Sequence, residues 1–144
     1  SRIAVRDRMV AGRENRAGKE FFYFDTHFDH IGKQARAESA RMMVARMKRI
    51  AGEKAAVFLS GDLNTTYDNA LLDPLKAWMQ SARHAAPVTD ELPTFNDFGK
   101  RSLWIDFIFA RNARALAYRT LVDSGRYGVP FLSDHNPVYA LYKL

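Results

Sequence analysis

The run Leu103–Phe109, LWIDFIF, sets one carboxylate among six apolar residues. So apolar and aromatic a stretch reads as a strand. A carboxylate inside it needs a charged or hydrogen-bonding partner. Two arrangements satisfy Asp106. The strand lies at a sheet edge with Asp106 turned to water, or Asp106 bonds an imidazole, fixing its tautomer and holding it cationic beside a phosphate. Either way the chain has to build a layered sheet structure.

The other apolar runs agree. Glu20–Thr26 (EFFYFDT) has strand length and ends in Asp25-Thr26-His27. From Lys33 the period changes: Ala40, Met43, Val44, Met47 and Ile50 recur at helical spacing, with Arg36, Arg41, Arg46 and Arg49 largely off the stripe. That predicts an amphipathic helix ending near Gly52. Ala55–Ser60 is a second buried strand, and Asp73-Pro74 opens a helix through about Arg83. Leu103–Phe109 and Ala115–Val122 read as strands joined in a hairpin, and Val138–Lys143 as the last strand. Residues 1–19 read as an edge segment and a turn. Helices alternate with strands early and strands pair locally later, so the fold class is α/β or α+β with a mixed sheet.

A length of 144 residues makes one domain, residues 1–144, large enough for a real core. With no cysteine, a disulfide scaffold and a thiolate metal site are excluded. No apolar run reaches bilayer length and no signal-peptide pattern opens the chain. The start at Ser1 leaves the compartment open, a soluble, secreted or periplasmic protein being compatible; oligomeric state is equally open. A net charge of +6 favours anionic partners such as phosphate esters, nucleic acid or membrane surfaces. The arginines are scattered, and no basic stripe interleaves with stacking aromatics, so sequence-independent nucleic-acid binding rests on charge alone.

The chemistry collects at strand ends, where α/β folds assemble sites. His27 follows the first strand within THFDH. In VFLSGDLN the second strand stops at Gly61 and presents Asp62 and Asn64. Turn chemistry by itself explains that stop, since Gly, Asp and Asn all favour turns. Two residues apart in extended chain, Asp62 and Asn64 also point the same way, and a carboxylate with an amide oxygen suits Mg²⁺ or an attacking water. Asp134 adds an oxygen ligand and His135 a donor to a phosphate oxygen.

The ordered set THFDH, GDLN, TF, IDFIF and SDHNPV resembles the endonuclease/exonuclease/phosphatase superfamily of metal-dependent phosphoesterases. The resemblance implies a four-layered α/β sandwich with two mainly antiparallel sheets, outer helices and Mg²⁺-dependent in-line hydrolysis, Mn²⁺ being a substitute. It implies that His27 touches the scissile phosphate, that Asp62 and Asn64 orient the water and bind metal, that Asp106 pairs with His135, and that Asp134 is metal-linked. His27, Asn64 and His135 would contact substrate. Asp29, His30 and Arg36 fit a subgroup pattern, THxDHxGxxAR, and Thr94-Phe95 supports the site wall. The family's metal-binding glutamate has no match, since Glu14, Glu20 and Glu38 stand in other contexts. The expectation is therefore the C-terminal larger part of such a domain, N-terminally truncated, acting on a phosphodiester of nucleic acid, a phospholipid headgroup or a small molecule. The alternative is a phospho-ligand or partner-binding protein without turnover.

Overall fold

A computed structural model describes residues 8–13, 18, 20–122, 125 and 127–144; residues 1–7 and Glu14 of the expected edge segment lie outside them. The elements run β1 (Arg8–Arg13), β2 (Glu20–His27), α1 (Lys33–Ala51), β3 (Ala56–Asp62), α2 (Asp73–Trp78), β4 (Gln80–Ser81), α3 (Ala82–Ala85), β5 (Asp106–Arg111), β6 (Arg114–Thr120) and β7 (Val138–Lys143). Five strands form one sheet in the order β1-β2-β3-β5-β4, and β6-β7 form a second. Only β2 and β3 pair in parallel within these sheets. The sequence pattern led to a mixed sheet, which the large sheet is, and the family resemblance implied mainly antiparallel pairing, which holds for every strand pair but β2-β3.

Strand parity explains the layers. On β3, Val57 and Leu59 meet Ala40, Met43 and Met47 of α1 in one apolar core, while Phe58 on the opposite face packs edge-on against Tyr142 of β7. On β5, Phe107 and Phe109 join the helix-side core and Ile108 packs between the sheets. β5 is thus covered on both faces, which is why LWIDFIF shows no alternation. The helical stripe forms as expected, except that Ile50 is exposed near the helix end at Ala51. The helix stops at Gly52, whose φ of 66° is the left-handed conformation that glycine adopts without penalty.

Two expectations are corrected. The second helix does not run to Arg83. It ends at Trp78, because Gln80 and Ser81 pair with Ala110 and Phe109 at the sheet edge, and a new turn of helix starts at Ala82. Nor do β5 and β6 form a hairpin. Both edges of β5 are taken, by β3 and β4, so the chain turns at Asn112 and pairs β6 with β7 instead. Asn112, at φ 55°, donates to the carbonyls of Glu53 and Ala55 and pins that turn to the loop after α1. Among the described residues there are three layers, helices, large sheet and small sheet. The fourth, an outer helical layer on the small sheet, is not among them.

Candidate active site

Sheet register aligns three functional side chains. His27 is the partner of Asp62 across β2 and β3, and Asp62 the partner of Asp106 across β3 and β5. By parity all three share the face that carries Phe58 and Ile108. β2 reaches this alignment because its backbone passes close to Gly61. A Cβ on Gly61 would lie 1.7 Å from the Thr26 carbonyl oxygen, and its φ is 147°. No side chain fits at this position.

His135 arrives from the other sheet, in the loop before β7. Its Nδ1 lies 2.9 Å from Asp106 Oδ2, and its Nε2 lies 3.9 Å from Asp62 Oδ2. An ionised Asp106 can only accept here, so Nδ1 carries the proton and Nε2 faces Asp62. His27 Nε2 approaches the same Asp62 oxygen at 3.3 Å. Two imidazoles therefore converge on one carboxylate, whose side chain is 13% exposed against 67% for His27. Burial pushes the Asp62 carboxyl above its ordinary pKa, and the charge of Asp106 adds to this. The backbone N–H of Asn64 and the two histidines oppose the rise.

Asp62 and Asn64 do meet, but not by strand parity. The strand ends at Asp62 and Asn64 takes φ 49°, which folds its amide back. Its backbone N–H donates to Asp62 Oδ1 at 2.8 Å, and its side-chain Nδ2 to the Phe28 carbonyl and Asp62 Oδ2.

Thr94 and Phe95 do support the site. The buried Thr94 hydroxyl accepts from the backbone N–H groups of Ile105 and Asp106, and the Phe95 ring lies 4.8 Å from the His135 imidazole. The sequence reading missed Asn96 and Asn136. Asn96 Nδ2 donates to Asn136 Oδ1 and to the Ser133 carbonyl, while Asn136 Nδ2 donates to the Pro93 carbonyl. These bonds fix the loop that holds His135. A second missed group, Tyr23, hydrogen-bonds Ser60, whose hydroxyl donates to Asp25 along the same face.

The chain matches a solved endonuclease/exonuclease/phosphatase from Bacteroides vulgatus with a TM-score of 0.84 and 30% identity, over 94% of this chain and 54% of that one. It matches a mannosyl-6-phosphatase from Bacteroides thetaiotaomicron with a TM-score of 0.82 and 29% identity, over 94% and 56%. D. rerio TDP2, complexed with a single-strand DNA product, shares the fold at a TM-score of 0.74 and 15% identity, over 94% and 61%. The fold is that of the endonuclease/exonuclease/phosphatase family. The chain spans about half the length of the solved structures it matches. No protein-family model and no curated protein matches the sequence.

Four residues expected from the family resemblance, Asp134, Asp29, Arg36 and His30, stand apart from the convergent set. The Asp134 carboxylate bonds the Ser133 hydroxyl, and its carbonyl accepts from the backbone of Asn96 and Asp97. Asp29 accepts from the backbone N–H groups of Ile31 and Gly32, and Arg36 donates to the Asp29 carbonyl, tying the turn that leads into α1. His30 is exposed in that turn. Of the glutamates, Glu38 pairs with Arg41 on the exposed face of α1 and Glu20 is exposed at the start of β2. The ligand atoms that do converge belong to Asp62, Asp106 and His135, all within 4.8 Å of one another. The two carboxylates fit a hard divalent cation that retains several waters. No described helix is long and apolar enough to cross a membrane.

Proposed function

We propose that this chain carries the site of a metal-dependent phosphoester hydrolase in which water attacks phosphorus in line with the ester oxygen. The observation that carries the reading is the convergence of His27 and His135 on the half-buried Asp62, with Asp106 behind His135. Asp62 takes the proton of the attacking water. Its raised pKa makes it a better base than an exposed carboxylate. Asp106 holds the His135 ring so that Nε2 faces the phosphoryl oxygens, where an imidazolium stabilises the charge that grows in the transition state. His27 does the same from the open side. As the P–O ester bond breaks, the departing alkoxide takes a proton from solvent or an imidazolium. Mg²⁺, with Mn²⁺ as its substitute, would be held by Asp62 and Asp106, with Asn64 hydrogen-bonded to Asp62, and when bound would supply charge neutralisation at the phosphate.

The exposure of His27 leaves room for a second ester group, which favours a diester over a monoester. Nucleic acid, a phospholipid headgroup and a small diester all meet that description. A mannosyl-6-phosphatase is among the matched structures, so monoesters belong in the same assay. The test is hydrolysis of an aryl phosphodiester and an aryl phosphomonoester with Mg²⁺ or Mn²⁺ and a chelator control. Turnover that the chelator stops and Asp62→Ala abolishes is expected. Tight binding of a phosphate ester with no hydrolysis in either panel would hand the site to the binding-protein alternative.

A further inference from the structure

Asp106 and His135 also form one end of a cavity of about 640 Å³ that the hydrolysis itself does not use. Its walls are Leu121, Val122, Phe131, Leu132, Pro137 and Val138, with the Tyr127 ring beside them. Leu121, Val122 and Leu132 are 52%, 51% and 61% exposed, so this apolar surface opens to solvent next to the site instead of being sealed in a core. The walls are held in place. The Leu121 backbone donates to the Pro137 carbonyl, and the Phe131 ring lies against Gly99, where a Cβ would meet it at 2.8 Å.

Among the described lining residues the polar groups are those of Asp106, Ser133, His135 and Asn136 together with the Tyr127 hydroxyl, and the capacity of Ser133 and Asn136 is largely spent. The Ser133 hydroxyl accepts from the His135 backbone, and the Asn136 amide is committed to Asn96 and Pro93. A sugar or nucleoside placed here would leave its hydroxyls unpaired against leucine and phenylalanine, a costly burial. An apolar group gains by the same contact.

We propose that this cavity is the subsite for the organic group of the phosphoester and selects an alkyl or aryl group over a sugar. The proposal rests on the hydrolase reading for the position of the phosphate, at the His135 end.

The test measures binding by calorimetry with three phosphonates that cannot be hydrolysed: naphthylmethylphosphonate, octylphosphonate and glucose 6-phosphonate. The aryl or alkyl compound is expected to bind at least ~10-fold more tightly than the sugar compound, roughly the effect of burying a few methylenes. Leu132→Asn, and independently Val122→Asn, should each erase most of that advantage while adding no charge beside the phosphonate. Both positions are exposed, so neither substitution threatens the fold. Equal affinity, preference for the sugar, no binding of any phosphonate, or indifference to both substitutions would overturn the subsite. The ring and chain arms show which shape the cavity takes. If the preference is found but the matching phosphate esters are not hydrolysed, the subsite stands and the hydrolase reading falls.

Discussion

Two clusters in this molecule bring together an aspartate, a histidine and a glycine, one within a single turn of chain (Asp29, His30, Gly32) and one across the fold (Asp62 and Gly61 with His27 and His135), and they behave oppositely. In the turn before α1, Asp29 is exposed. Backbone N–H bonds from Gly32 and Ile31 hold its carboxyl below the ordinary value, with His30 and Arg36 adding to the effect. At the strand ends, Asp62 is mostly buried and its carboxyl is pushed up. The first carboxylate is satisfied by the backbone and ties a turn. The second is left basic among imidazoles and has proton-accepting capacity to spend. An Asp-His neighbourhood in sequence is therefore not enough to mark a reactive site. What separates the two is whether backbone amides or desolvation dominate at the carboxylate.

The glycines give the sharpest way to break this comparison. Gly61→Ala drives a Cβ into the Thr26 carbonyl and should cost about 3 kcal/mol or more in a denaturant melt. Gly32→Ala meets Ala35 Cβ at 3.1 Å at an ordinary φ and should stay within about 1 kcal/mol. Similar losses would mean that β2 and β3 approach less closely than described.

Activity comes next. Asp62→Ala should lower kcat/KM on the phosphodiester by at least ~100-fold, whereas Asp29→Ala should leave it within about threefold, the range of a surface change. A matching loss in Asp29→Ala would bring the turn into the site.

Stability against pH sharpens the contrast further, because the two signs differ. The Asp62 pKa is raised on folding, so its contribution is full below the usual 3.8 and is lost as pH rises through the folded value. In chelator-treated protein, Asp62→Asn should therefore melt higher than the parent at pH 7, with the gap closing in acid. The Asp29 pKa is lowered, so its contribution is present above 3.8 and lost as pH falls through the folded value. Asp29→Asn should melt slightly lower at pH 7, the smallest of these effects, and the gap should again close in acid. Opposite signs at pH 7 are the result that matters.

Much of the site was legible because burial and chemistry conflict there. Asp106 inside LWIDFIF demanded a partner, and the partner is His135. The stop at Gly61 is explained by the contact with Thr26, which period and composition point to without specifying. The errors came from tertiary competition. Helical pattern alone could not reveal that Gln80 and Ser81 are taken by a sheet edge, nor that β5 has no free edge to offer β6. Asn96 and Asn136 left no trace in the pattern, since an amide pair joining two loops has no period. Asn64 reached its expected neighbour through a left-handed turn, which a two-residue spacing does not distinguish from a strand.

The row of candidate side chains is drawn from two layers of unequal strength. His27, Asp62 and Asp106 stand on the sheet backed by a core of fourteen buried apolar residues, while His135 is carried by the loop into the small sheet, whose own core is three alanines and Tyr118. Each large side chain fully buried contributes roughly 2 kcal/mol, and an alanine far less. The fourth member of the row is therefore attached by the weaker fastening. On warming, the small sheet should lift first and take His135 with it, so the proposed hydrolysis would fade while the helices and the large sheet are still intact. Loss of that proposed activity would then report that the two sheets have come apart.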